Sequence, residues 1–287
     1  FLSEKVTAMA EEVRRSVIAG SWYPGSEKGL RAALDEYFDD VDTKGREAED
    51  PIALISPHAG YSFSGPTAAY AYHTLKGKSY DAVVILSPLH RLPLGRYVVT
   101  KSRAYETPLG EVPVDQDLVE ALEKEISISR SGYDGEHSLE IQLPLLQHVL
   151  GNVPILPVML GTSSLDEGVE LGKVLAKVLG DRKTIIVASS DLHHIEDFEE
   201  VATRDRTVTD ALASFDMAHI KEMLSPPDCS VCGRVPIMAA LIAARELGAD
   251  AIDVMSYTNS AEVTGQRIIG QYTVGYCAAA AYRKGGA

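Results

Sequence analysis

The sequence predicts an α/β fold, a single domain spanning residues 1–287 with a central mixed sheet and helices on both faces. Three observations predict it. Short, β-branched apolar runs end in turn residues, helix-periodic patterns fill the intervals between them, and histidines fall just after three of the runs. An apolar run bounded by turn formers marks a strand buried on both faces, and helices between such strands act as crossover connections.

The four clearest strands are 52–56 before Pro57, 82–86 before Ser87-Pro88, 153–160 before Gly161 and 184–188 before Ser189-Ser190. Helical patterns occupy 66–76, 115–125, 138–150, 165–179, 196–214 and 234–247. Residues 251–257 and 271–278 read as two further strands of the same sheet, joined by a polar loop. The most polar interval, 39–50, reads as a loop or short linker after a first helix. Neither an internal repeat nor a long Gly/Ser/Pro linker divides the chain, so one domain is expected.

Composition narrows the function. At 45% hydrophobic and 24% charged the chain is an ordinary globular protein. No run approaches the ~18 apolar residues of a membrane span, so no membrane association is expected. Glu4, Lys5, Glu11, Glu12, Arg14 and Arg15 interrupt the first twenty residues where a secretory signal would need an apolar stretch. The cytoplasm is the expected compartment. A net charge of −14 argues against neutralising nucleic-acid phosphates. Three cysteines, an odd number in a long chain, do not make a disulfide framework.

Ligands of α/β sheets bind beyond the carboxyl ends of the strands, and the histidines gather there. His58 follows the first strand, His90 the second, and Asp191, His193 and His194 follow 184–188. A lone histidine is usually an ordinary packing or surface group, and His73, His148 and His219 are read so. Recurrence at three strand ends points instead to a metal or acid–base site. In Glu136-His137-Ser138-Leu139-Glu140, His137 or Ser138 is placed to cap a helix, or His137 to face a substrate. A serine hydrolase does not fit: Gly-x-Ser-x-Gly is absent, and the polar residues of 189–194 are consecutive rather than dispersed along the chain.

Cys229-Ser-Val-Cys232-Gly-Arg234 is spaced like a redox pair or half a zinc site. With no second pair a four-cysteine zinc ribbon is excluded, and Pro226-Pro227-Asp228 stands where a thioredoxin-type motif would have a strand. Cys232 opens an apolar helix, whose N-terminal dipole and free N–H groups favour a thiolate, so ionised Cys232 is expected.

Six segments together resemble the Memo family, whose prokaryotic members are called AmmeMemoRadiSam system protein B. They are Ala19-Gly-Ser-Trp-Tyr-Pro24, Pro57-His-Ala-Gly-Tyr61 with Ser64-Gly65, Ser87-Pro-Leu-His90, Glu136-His-Ser-Leu-Glu140 with Gln142-Leu-Pro144, Ser189-Ser-Asp191 with His194, and Cys232-Gly-Arg234 with Pro236-Ile237. They occur in family order across nearly the whole chain. The resemblance implies a fold similar to the catalytic subunits of class III extradiol dioxygenases, which are non-haem iron enzymes. It implies His58, His90 and Cys232 as ligands of one copper or iron ion, with zinc a further candidate. His194 then matches the acid–base histidine, Asp191 orients it or hydrogen-bonds near the metal, and His137 and Glu140 fall in the pocket wall, with 19–24 at the mouth.

The activity so implied is metal-dependent redox chemistry on an unknown small molecule. The alternatives are a non-catalytic scaffold holding a peptide or chaperoning a metal, and a zinc-assisted hydrolase. The prokaryotic family name also suggests radical-SAM and AMMECR-type proteins as pathway partners. The sequence departs from animal members at Arg91, where they carry histidine, and at His193, where they carry cysteine. Cys229 matches no family ligand. It could hold copper or pair with Cys232 in a disulfide, and the reading adopted is that it takes no part.

Overall fold

The computed structural model describes residues 12–42, 50–91 and 93–284. In chain order, α1 (Glu27–Asp39), β1 (Pro51–Ser56), α2 (Tyr61–His73) and β2 (Ala82–Pro88) come first. Then come β3 (Tyr97–Thr100), β4 (Ala104–Thr107), β5 (Gly110–Pro113), α3 (Gln116–Glu125), β6 (Ser129–Ser131), α4 (His137–Glu140) and α5 (Leu143–Leu150). β7 (Ile155–Leu160), α6 (Leu165–Leu179), β8 (Thr184–Ser189), β9 (His194–Ile195), α7 (Phe198–Ser214) and α8 (Met217–Leu224) continue the chain. It closes with α9 (Arg234–Glu246), β10 (Ala251–Asn259), α10 (Ser260–Thr264) and β11 (Thr273–Tyr282).

The main sheet runs β10-β11-β1-β8-β2-β7-β3-β6, with β9 added beside β11, and β4 and β5 form a separate hairpin. β1, β8, β2 and β7 pair in parallel, whereas β11 pairs antiparallel with both β1 and β10, and β3 antiparallel with β7. The chain is thus an α/β domain around a central mixed sheet, as its sequence predicts. Every residue of β1, β2, β7 and β8 is buried, which explains why these strands read as unbroken apolar runs.

Crossover handedness makes the two outer layers. β1 to β2 and β7 to β8 step in opposite directions across the sheet, so right-handed connections put α2 and α6 on opposite faces. α2 packs with α1 and α5, and α6 packs closely with α9. Gly172 permits that approach, since a Cβ there would come within 2.6 Å of the Ala239 carbonyl oxygen.

The differences from expectation have local causes. β3, β6 and the hairpin are three or four residues long, and Ser129-Arg130-Ser131 carries no apolar pattern. The helix expected at 138–150 breaks into α4 and α5 around Gln142, whose amide bonds to other segments, and Pro144 occupies the first turn of α5. The cap of α4 is neither His137 nor Ser138 but the Glu136 carboxylate, which accepts from the Ser138 backbone N–H. α1 runs into the polar interval as far as Asp39, and residues 43–49 of that interval lie outside the described residues. No helix among the described residues is long and apolar enough to cross a membrane.

Candidate metal centre

Three neighbouring strands deliver the site. Parallel registers Ser56↔Ser189 and Leu86↔Ala188 bring the carboxyl ends of β1, β8 and β2 to one rim. The chain leaves that rim through His58, through Asp191 and His194, and through His90. α4 adds His137, and the turn before α9 adds Cys232. A cavity of about 450 Å³ opens here, lined by His58, His90, His137, Asp191, His194 and Trp22 among others, with Cys232 behind His58 and outside the lining.

The tautomers of two histidines follow from their partners. Ser189 Oγ donates to the Ser138 carbonyl at 2.6 Å and accepts from the Gln142 amide at 2.9 Å. Its hydrogen is therefore spent, and at 3.0 Å it can only accept from His58 Nδ1. His58 is Nδ1-protonated, with a lone pair on Nε2. His90 Nδ1 lies 2.9 Å from Glu136 Oε1, so it too carries its proton there and leaves Nε2 bare. A carboxylate or hydroxyl holding the far nitrogen of an imidazole is the usual support of a metal-binding histidine.

His58, His90 and His137 each bring one donor atom within 4.8 Å of the other two, and these three residues could hold a metal ion. The His90 and His137 rings stack with centroids 4.9 Å apart, and His58 stands edge-on to both. His137 Nδ1 is buried without a hydrogen bond, although Glu136 Oε1 is 3.2 Å away. Burial, with His90 and His137 close by, keeps His58 neutral well below the ordinary histidine range. Burial also brings His137 down to about 4 against the opposing charge of Glu136. Neutral imidazoles are what a metal requires.

Cys232 Sγ lies 3.1 Å from His58 Nε2, beside the cluster. The expected thiolate is not what the surrounding protein groups favour. Burial, reinforced by Asp191, pushes the thiol up, and these outweigh the N–H groups of the helix start. Asp191 Oδ1 accepts from the His58 backbone N–H at 2.7 Å, and burial raises the carboxyl to about 7. His194 Nδ1 meets the Tyr272 hydroxyl at 3.0 Å, while its Nε2 is buried without a partner, and burial lowers the ring to about 4. Trp22 covers the cluster with its ring 4.5 Å from that of His137. Glu140, expected in the wall, is wholly buried behind it, bound to Arg14, Val17 and Tyr23.

Two residues that sequence reasoning passed over support the site. Glu136 holds His90 and α4, and Gln142 holds Pro57 and Ser189. The signal for Glu136 was its place directly before the helix, where a carboxylate can cap free N–H groups.

A family model described as Memo-like protein matches residues 14–280. The chain belongs to the Memo-like family. A MEMO1 family protein of Nitrosopumilus maritimus is 33% identical, with 88% of this Memo-like chain and 94% of the relative aligned. One from Methanosarcina acetivorans is 34% identical over 93% of this chain and 98% of its own. One from Pyrobaculum aerophilum is 32% identical over 94% and 99%. Among solved structures, an uncharacterized protein from Escherichia coli K12 overlays with a TM-score of 0.45 and 17% identity over 79% of this Memo-like chain and 99% of its own, too loosely to bear on the site.

Proposed function

We propose that the cleft is a mononuclear metal centre of a redox enzyme acting on a small molecule, with His58 and His90 as nitrogen ligands and Cys232 as sulfur ligand. The observation that carries this reading is the pair of fixed tautomers, which leaves a bare Nε2 on each histidine, one of them 3.1 Å from the thiol. The donor set fits: imidazoles and a thiol, with the orphaned His137 Nδ1 beside them, suit copper, iron or zinc better than the oxygen-seeking ions. Bound iron or copper would supply electron transfer, and zinc would polarise a substrate oxygen.

The chain's own residues do the remainder. Ser189 and Glu136 orient the rings, and Trp22 shelters them from water. His194, with Nε2 free in the wall and Nδ1 held by Tyr272, takes up or returns a proton. The dioxygenase-like framework that the family resemblance implies supports the same chemistry.

Metal content tests the assignment. Protein purified anaerobically is expected to hold about one ion per chain, to lose it in Cys232→Ala and to keep it in His137→Ala. The reverse pattern would move the third ligand to His137, and equal binding in all three would overturn the site. Oxygen uptake by metal-loaded protein with catechols, thiols or reductants, abolished in His194→Gln, tests the activity.

A second reading, a peptide-holding cleft, has one observation in its favour. Two aromatic side chains of the cavity lining, Phe63 and Tyr272, are 39% and 57% exposed. Peptide binding without oxygen uptake would favour it over the enzyme.

A further inference from the structure

The chain after β8 divides its side chains. Asp191 and His194 go to the cavity wall, while Leu192 and His193 are buried outside the lining. His193 there meets Asp205 of α7, whose side chain is wholly buried. One oxygen of that carboxylate accepts twice from the same residue, from the His193 backbone N–H at 3.0 Å and from ring Nδ1 at 2.9 Å. The other oxygen accepts from the Tyr257 hydroxyl of β10 at 2.9 Å.

The rest of the segment is held by its backbone. Leu192 N–H donates to the Gly275 carbonyl at 2.8 Å, Gly275 N–H to the His193 carbonyl at 3.0 Å, and His194 N–H to Ser230 Oγ at 2.9 Å. His194 then pairs with Val274 in the short ladder between β9 and β11. Glycine is required at 275, since a Cβ there would run into the Asp205 carboxylate. Among these links the His193 N–H alone ends on a carboxylate.

A buried ion pair is seldom the most stable filling for a core. Apolar side chains of similar volume usually serve as well or better, and what the pair adds is directional bonding. Burial would discharge the ring, but chiefly Asp205 outweighs it and raises His193 to about 9. Neither side chain lines the cavity, so the pair acts on what flanks it. On one side Asp191 fastens the His58 backbone N–H at 2.7 Å. On the other the His194 ring meets the Tyr272 hydroxyl at 3.0 Å, with Nε2 buried and unpartnered.

We propose that Asp205 and His193 are positioning residues: anchored by Tyr257, their two N–H···O bonds hold the segment after β8 so that the His194 ring stays against Tyr272 with Nε2 at the cavity wall. The consequence for turnover rests on the redox reading above, whereas the placement of His194 does not. The bonds rather than the charge do the holding. His193→Asn, which carries an amide N–H where the imidazole has Nδ1, therefore keeps the grip, and His193→Leu keeps the volume but loses it.

The test is the two-bond ¹H–¹⁵N spectrum of the histidine rings in the full chain at pH 7 after chelator treatment, with His194 assigned by its loss in His194→Gln. In the wild type His194 should show one protonated and one bare nitrogen, the signature of a single tautomer. In His193→Leu the two shifts should draw together as the ring leaves Tyr272, and in His193→Asn they should separate again. In metal-loaded protein with catechol as the probe, kcat for oxygen uptake should fall about 10–100-fold in His193→Leu with KM little changed, and His193→Asn should recover most of it. His194 signals unmoved in folded His193→Leu, or moved equally in both variants, would overturn the proposal. Should His193→Leu fail to fold, Tyr257→Phe decides, since losing the anchor of Asp205 must move the same signals and unmoved signals would overturn it. Signals that move as expected in a protein that consumes no oxygen would bear out the positioning and remove the redox reading alone.

Discussion

Glu136 grips His90 at two points: one carboxylate oxygen accepts the backbone N–H at 2.7 Å, and the other holds ring Nδ1 at 2.9 Å. Backbone and ring are thereby fixed together, so His90 keeps its orientation even though its side chain is the most exposed of the three clustered imidazoles. Glu136→Gln keeps the shape but loses the charge and can turn an amide N–H toward Nδ1. Metal affinity should fall about 10–100-fold, the usual effect of losing such a support, measured by competition with a coloured chelator. Unchanged affinity would mean that something else orients the ring.

Glu140 anchors the segment that roofs the cavity. Its buried carboxylate takes the Arg14 guanidinium, the Tyr23 hydroxyl at 2.6 Å and the Val17 backbone N–H at 3.0 Å. Trp22 lies between those attachments. Glu140→Ala takes one of two carboxylates from the buried Arg14 guanidinium, which keeps Asp134 at 3.7 Å, and should cost about 1–3 kcal/mol in urea unfolding. Because Trp22 is the sole tryptophan, its fluorescence should also shift to the red as the roof loosens. A destabilised variant with an unshifted spectrum would show that the roof is held elsewhere.

What the sequence revealed and what it hid divide along physical lines. Fully buried parallel strands announce themselves as apolar runs, and topology then places His58, His90 and His194 at one rim without further information. Contacts between distant polar residues leave no periodic trace, so the roles of Glu136, Glu140 and Asp205 emerge only from three-dimensional pairing. Cys232 shows the limit most clearly. A helix start suggests an ionised Cys232, but burial, reinforced by Asp191, pushes that thiol up, and burial leaves no mark in the local sequence.

Gly233 sets how closely α9 approaches the sheet. A Cβ there would collide with Ser190 and the Ser189 carbonyl, while its backbone N–H donates to Ser190 Oγ at 2.9 Å. Gly233→Ala must push the helix start away from β8 and carry Cys232 away from His58. Metal binding should weaken more than stability does, with unfolding free energy falling by about 1–3 kcal/mol, typical of overpacking. If metal affinity survives while stability falls, Cys232 is not a ligand.

The His193–Asp205 pair sets a pH window. His193 has an ordinary value of 6.5 and about 9 in the folded chain, so folding favours the protonated ring. That contribution is fully present below about pH 6.5 and is lost as the pH rises through about 9. The shift corresponds to at most about 3 kcal/mol, and both side chains are buried deeply enough for it to be felt. Asp205→Asn removes the carboxylate that sustains it. Urea unfolding should therefore show wild type well above Asp205→Asn at pH 6, with the gap narrowing steadily toward pH 10. A gap of constant size across that range would mean that the carboxylate stabilises the fold through Tyr257 and the backbone alone, with no contribution from the charge on His193.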